Sequence, residues 1–175
     1  MENNKIDWSK SHNGLMLTTF EQTYEMMPEV KPIIESIKPY LELSENEYFV
    51  DIKVHMLMPG EYPCIPNWHC DFIPRDENKN KLPHLITGEK MYLWVSGEPK
   101  TEFKKPPVKI KTTEGYEWIE FDQNEVHRGV ISKIHTWRCF IRLIPKKFVH
   151  PNTLNIGTIR RHSQVYIEDA NNFRW

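Results

Sequence analysis

From Tyr48 onward the chain takes on a two-residue periodicity, and this constrains its fold more than any other feature. In YFVDIKVHMLM the apolar positions Val50, Ile52, Val54, Met56 and Met58 alternate with Asp51, Lys53 and His55. Successive side chains of a strand point to opposite faces, so the pattern predicts a strand with one buried face. Further short strands are predicted over 90–96, 108–111, 116–121, 125–131 and 137–144, and Pro145 ends the last of them. With the extended run Trp68–Ile73, they make about seven strands with no helix among them. That order favours an antiparallel sandwich or barrel, because a parallel sheet needs crossover helices between its strands.

Two helices are expected ahead of the sheet. LMLTTFEQTYEMM places Leu17, Phe20, Tyr24 and Met27 at helical spacing and stops at Pro28. A second stripe, Ile33, Ile34, Ile37 and Leu41, follows Pro32, a residue tolerated in a first helical turn, while Pro39 keeps this helix short. The 175 residues suit one domain, divided into an N-terminal helical support (1–46), a β-barrel core (47–145) and a C-terminal extension (146–175). The stretch PRDENKNKLPHLITGEK reads as a long surface loop that can act as a lid.

Charge excludes some partners. Lys and Arg total 23 against 24 Asp and Glu, a net charge of -1, so no global field recruits nucleic acid or an anionic membrane. Only the segment after Pro145 is mildly basic, with five basic and two acidic residues. Its Arg160, Arg161, His162, Tyr166, Phe173, Arg174 and Trp175 form a weak candidate surface for nucleic acid or an acidic partner, set against a plain solvated face with an end strand. Three cysteines without a CxxC pair suit a reducing cytoplasm. No apolar run approaches the ~18 residues of a membrane span, and no signal core is present at the N-terminus.

The chemistry is expected in PGEYPCIPNWHCD, which closes on His69, Cys70 and Asp71. On an extended segment His69 and Asp71 share one side and Cys70 points away. A third ligand is supplied by His127, and Arg138 stands on the next strand. Two histidines and one carboxylate on one face of iron(II) leave three positions open, two for a bidentate 2-oxo acid and one for dioxygen. An arginine suits the far carboxylate of that acid, because its fork makes paired, charge-assisted hydrogen bonds. Arg142 lies on the same strand face as Arg138 and is a second candidate for anchoring or substrate contact, or a paired structural arginine.

With these residues the chain resembles the Fe(II)- and 2-oxoglutarate-dependent oxygenases of the double-stranded β-helix (jelly-roll, cupin-like) fold. The resemblance is carried by Pro59-Gly60, His69-Cys70-Asp71, Val126-His127-Arg128-Gly129 and Trp137-Arg138, and it covers roughly Tyr48 to Ile144. It implies His69, Asp71 and His127 as ligands of Fe(II), and Arg138 as the anchor of 2-oxoglutarate. It also implies use of O2, with ascorbate as a candidate reductant, and a product hydroxylated or demethylated as the cosubstrate becomes succinate. The substrate is left open among a protein side chain, a nucleobase and a small molecule.

Other readings stay open at this level. A cupin-like metalloenzyme would use the same ligands without 2-oxoglutarate, and a non-catalytic barrel would act through its tail. Zinc on Cys64, His69, Cys70 and Cys139 matches no common spacing. His55, His84 and His135 read as surface or structural. Tyr62, Trp68, Tyr92 and Trp94 are expected near the metal strands, as pocket lining or as core filling.

Overall fold

The structure, a computed structural model, describes residues 6–167. Its strands are β1 (Gly14–Thr18), β2 (Tyr48–Leu57), β3 (Glu61–Tyr62), β4 (Met91–Val95), β5 (Glu102–Phe103), β6 (Val108–Lys111), β7 (Glu117–Phe121), β8 (His127–Arg128), β9 (Thr136–Pro145), β10 (Thr158–Ile159) and β11 (Tyr166–Ile167). Two short helices, α1 (Phe20–Met26) and α2 (Lys31–Ile37), lie between β1 and β2. The protein is therefore mainly β. Seven strands form one antiparallel sheet in the order β10-β1-β2-β9-β4-β7-β6, and two further pairs, β11-β3 and β5-β8, stand outside it.

The spine of the sheet is the β2–β9 ladder, in register from Tyr48 opposite Pro145 to Leu57 opposite Thr136. Alternation divides its residues cleanly. Val50, Ile52 and Val54 join Cys139, Ile141 and Leu143 on one face and pack against Val30, Ile33, Ile34 and Ile37 of the helical layer. Each of those isoleucines is at most 1% exposed, a burial that stabilises by about 1.5–3 kcal/mol per side chain. Asp51, Lys53 and His55 project from the opposite face, directly across from Arg142, Phe140 and Arg138.

Here the sequence expectation needs correction. A strand with one buried and one wet face was predicted, yet Asp51 and His55 are buried at 2% and 1% exposure. Arg142 and Arg160 cover Asp51 and pair with it, and Lys53 lines a cavity closed on its other side by Ile65, His69 and His127, so this polar face becomes an interior instead of a surface. His55 is accordingly not a surface residue.

Two local expectations also change. Residues 15–18 were expected to open a helix but belong to β1, which pairs with β2 and β10. Gly14 permits that approach, since a Cβ there would lie 2.1 Å from the Ile52 carbonyl oxygen. The helix starts only at Phe20, where Thr19 and Gln22 form a reciprocal capping box. The His-x-Asp run is not a regular strand. It touches β8 through one isolated bridge, His69 opposite His127, and Phe72 at φ 54 turns the chain away immediately after Asp71.

The C-terminal segment returns to two sheets, with β10 adding to β1 and β11 pairing with β3. Phe173, Arg174 and Trp175, named above as part of a basic tail, lie outside the described residues. No helix among the described residues is long and apolar enough to cross a membrane.

Candidate metal centre

The backbone brings the two histidines together before any side chain is considered. The amide of His69 donates to the carbonyl of His127, and the amide of His127 to the carbonyl of His69, both at 2.9 Å. Gly129 extends this pairing by donating to the Ile65 carbonyl at 2.8 Å. It must be glycine, because a Cβ would meet the Cys64 carbonyl oxygen at 2.5 Å. The ring centroids of His69 and His127 end 4.6 Å apart.

Both rings are held by Nδ1, which lies 2.7 Å from the Asn67 carbonyl oxygen in His69 and 3.0 Å from the Glu125 carbonyl oxygen in His127. A carbonyl only accepts, so each Nδ1 carries the proton and each Nε2 is left with its lone pair. Those Nε2 atoms face Asp71, at 3.7 Å from His69 to Oδ1 and 3.4 Å from His127 to Oδ2. The three ligand atoms lie within 4.8 Å of one another. This spacing of one carboxylate and two neutral imidazoles suits a divalent cation.

The electrostatics support a charged carboxylate and a neutral His69 ring. Burial by itself raises the Asp71 pKa, but the Arg142 guanidinium beside it outweighs burial and holds the carboxyl far below the usual range. Burial is also the main cause that lowers the His69 pKa. Arg142 donates to Asp71 Oδ2 and, at 3.3 Å, to Asp51 Oδ2. Asp51 in turn accepts from Arg160. The result is a chain of alternating charge, Asp71–Arg142–Asp51–Arg160, that runs from the metal ligands to the residue following β10.

The three ligands line a cavity of about 120 Å³ together with Ile65, Leu93, Phe121, Phe140, Thr101 and Cys64. Arg138 projects from the same face of β9, its guanidinium 5.9 Å from the centre of the Phe140 ring. It is 1% exposed. Its Nε donates to the Pro99 carbonyl at 2.8 Å, while among the described residues neither terminal nitrogen has a hydrogen-bond partner, nor does the Thr101 hydroxyl. A buried guanidinium with two unmet donors fits the carboxylate of an organic acid. Arg142 is committed to Asp71 and Asp51, which is the paired structural role that stood as one of its readings.

Of the four aromatic pocket candidates, the structure brings none into the cavity. Tyr92 and Trp94 fill the core instead, the other of their two readings. They alternate with Leu93, which faces the metal side, and so point to the helical face, where Tyr92 donates to the Tyr40 carbonyl at 3.1 Å and Trp94 packs on Trp8 and Tyr116. Trp68 is 38% exposed on the outside, with Arg128 over its ring at 4.5 Å. Tyr62 pairs in register with Tyr166, and it is Tyr166 that lines the cavity. A four-residue zinc set is not assembled either, since Cys70 turns to the Asn124 carbonyl and Cys139 is buried among the helix-facing residues.

Several site residues were missed at sequence level. Asp51 and Lys53 were visible only as the polar half of an alternating strand. Gln123 donates to the Phe72 carbonyl at 2.6 Å and so holds the turn after Asp71; nothing in the sequence marks it. No family model matches the chain, nor does any curated protein or solved structure.

Proposed function

We propose that the protein is an Fe(II)- and 2-oxoglutarate-dependent dioxygenase built on a double-stranded β-helix. The observation that carries the reading is the pairing of three convergent metal ligands that line a cavity with a buried arginine against the cavity-lining Phe140, its two terminal nitrogens unmet among the described residues. The strand order supports the fold assignment. β2, β9, β4 and β7 form one wall, the segment from Ile65 to His69 with β8 and β5 forms the other, and residues of both walls line the cavity.

His69 and His127 would hold the iron through Nε2 and Asp71 through its carboxylate, while Arg138 with Thr101 would hold the far carboxylate of 2-oxoglutarate. When bound, these groups supply oxidative decarboxylation of the 2-oxo acid coupled to oxidation of a substrate C–H bond. The chain's own contribution is placement and exclusion of water. Arg142 holds Asp71 in its ionised form and fixes its orientation, and Leu93, Phe121 and Phe140 keep the inner cavity apolar on the side facing the ligands.

Anaerobic addition of iron(II) and 2-oxoglutarate tests the proposal. A visible charge-transfer band is expected, lost in His69→Ala and weakened in Arg138→Ala. No band in the unmutated protein refutes the oxygenase reading, and metal binding indifferent to 2-oxoglutarate favours a cupin-like enzyme.

A further inference from the structure

The cavity lined by the metal ligands has a second space beside it. The inner cavity described above is about 120 Å³, and a groove of about 790 Å³ lies outside it, the two sharing Lys53 and Arg142 along their common wall. Such a groove matches a small molecule better than a macromolecular surface, since small-molecule sites run to about 300–1,000 Å³. With the inner cavity assigned to the cosubstrate, the groove is the space left for whatever is oxidised.

Its walls have a definite chemistry. Phe72 and Phe148 present a pair of rings with centroids 6.2 Å apart and planes inclined by 31°, and Leu17 adds apolar surface. The strained φ of Phe72 and the Gln123 hydrogen bond to its carbonyl keep that ring beside the ligand Asp71. Five cationic side chains, Lys53, Arg75, Arg142, Lys147 and Arg160, line the groove against a single carboxylate, Asp51. Asp51 is already shared by Arg142 and Arg160, and Lys147 is paired with Glu89. Lys53 and Arg75 form no ion pair among the described residues. Burial lowers the Lys53 pKa, as expected of an ammonium that lacks a close counter-ion.

We propose that the groove binds a small organic anion with a ring-sized apolar body, its negative group at Lys53 and its body against Phe72 and Phe148. Calling this molecule the substrate rests on the oxygenase reading; its binding does not. Lys53 lines both spaces, so an anion held there reaches the wall of the cavity that the three ligands also line.

The experiment is calorimetric titration of the metal-free protein with three indoles of one shape and different charge: indole-3-acetate, indole-3-ethanol and tryptamine. The acid is expected to bind at least about tenfold tighter than the alcohol, with tryptamine weakest, and the preference should shrink as salt is raised. Lys53→Met should bring the acid and alcohol to within about threefold, whereas Phe148→Ala should weaken both together by about tenfold. Should Lys53→Met fail to fold, Arg75→Gln on the exposed loop should still cost the acid about two- to threefold and the alcohol nothing. Equal affinities for the three indoles, no binding of the acid at about 1 mM, or an undiminished preference in the folded Lys53→Met protein overturns the proposal. The charge-transfer band separates the two readings. Acid binding without the band leaves the groove site standing and removes the oxygenase, and the band without acid preference removes only the groove site.

Discussion

Arg138→Met separates a ligand-binding arginine from a structural one. In the ligand-free protein Arg138 has, among the described residues, one hydrogen bond, to Pro99, and two buried nitrogens with none. An unmet buried donor costs about 1–3 kcal/mol, and one charge-assisted bond returns about 1.5–3 kcal/mol. Replacement by an apolar side chain of similar length should therefore leave ligand-free stability within about 1–2 kcal/mol of the parent, or raise it. The cosubstrate complex should behave in the opposite way. Truncating one partner of a buried, hydrogen-bonded charge pair costs about 2–5 kcal/mol, so 2-oxoglutarate affinity should fall by roughly 30- to 4,000-fold. Urea unfolding of the anaerobic iron(II) protein, with and without 2-oxoglutarate, reads both quantities. At a ligand concentration of about 100 times Kd the parent gains about 2.7 kcal/mol, and the variant at the same concentration should gain less than about 0.9 kcal/mol. Equal stabilisation of the two proteins refutes the anchor role. A loss of more than about 3 kcal/mol in the ligand-free variant refutes the premise that this arginine is under-satisfied.

Three further outcomes follow from other residues. Gly129→Ala should separate β8 from the segment carrying His69 because its Cβ meets the Cys64 backbone, costing about 2–3 kcal/mol in urea unfolding together with metal affinity. Gly115→Ala, with φ +83 and open space around it, should cost only about 1–2 kcal/mol of backbone strain and leave metal binding unchanged. Asp71→Asn should weaken manganese(II) or iron(II) binding by at least about 100-fold by calorimetry. Burial, followed by the nearby Arg138 charge, pushes the His55 pKa down to about 3. The unfolded chain then binds more protons than the folded one below the ordinary histidine pKa of about 6.5, so stability contributed by neutral His55 is full above that value and declines toward pH 3 by up to about 1.4 kcal/mol per pH unit. His55→Phe should remove that part of the acid slope, and an unchanged slope would show that His55 is not the group responsible.

Much of this was already legible in the chain. The alternation of Val50, Ile52 and Val54 against polar neighbours is local information, and it placed β2 correctly; the same holds for β4, the β6–β7 hairpin and β9. The isoleucine stripe after Pro32 likewise predicted α2, because helical spacing depends only on neighbours along the chain. His69, Asp71 and His127 could be named together because the chemistry of a divalent cation calls for those residue types in that order.

What only the tertiary structure decided is which polar face is inside. A period of two says that Asp51, Lys53 and His55 share a face with one another, but whether that face meets water depends on what residues far along the chain lay over it. The same long-range pairing drew Leu15 into a strand opposite Ile52 against its helical spacing, and alternation on β4 sent Tyr92 and Trp94 away from the cavity that Leu93 enters. It also divided the labour of the two arginines. Arg138 and Arg142 are equivalent by periodicity, and only the positions of Asp51 and Asp71 in space commit Arg142 to them and leave Arg138 with donors to offer.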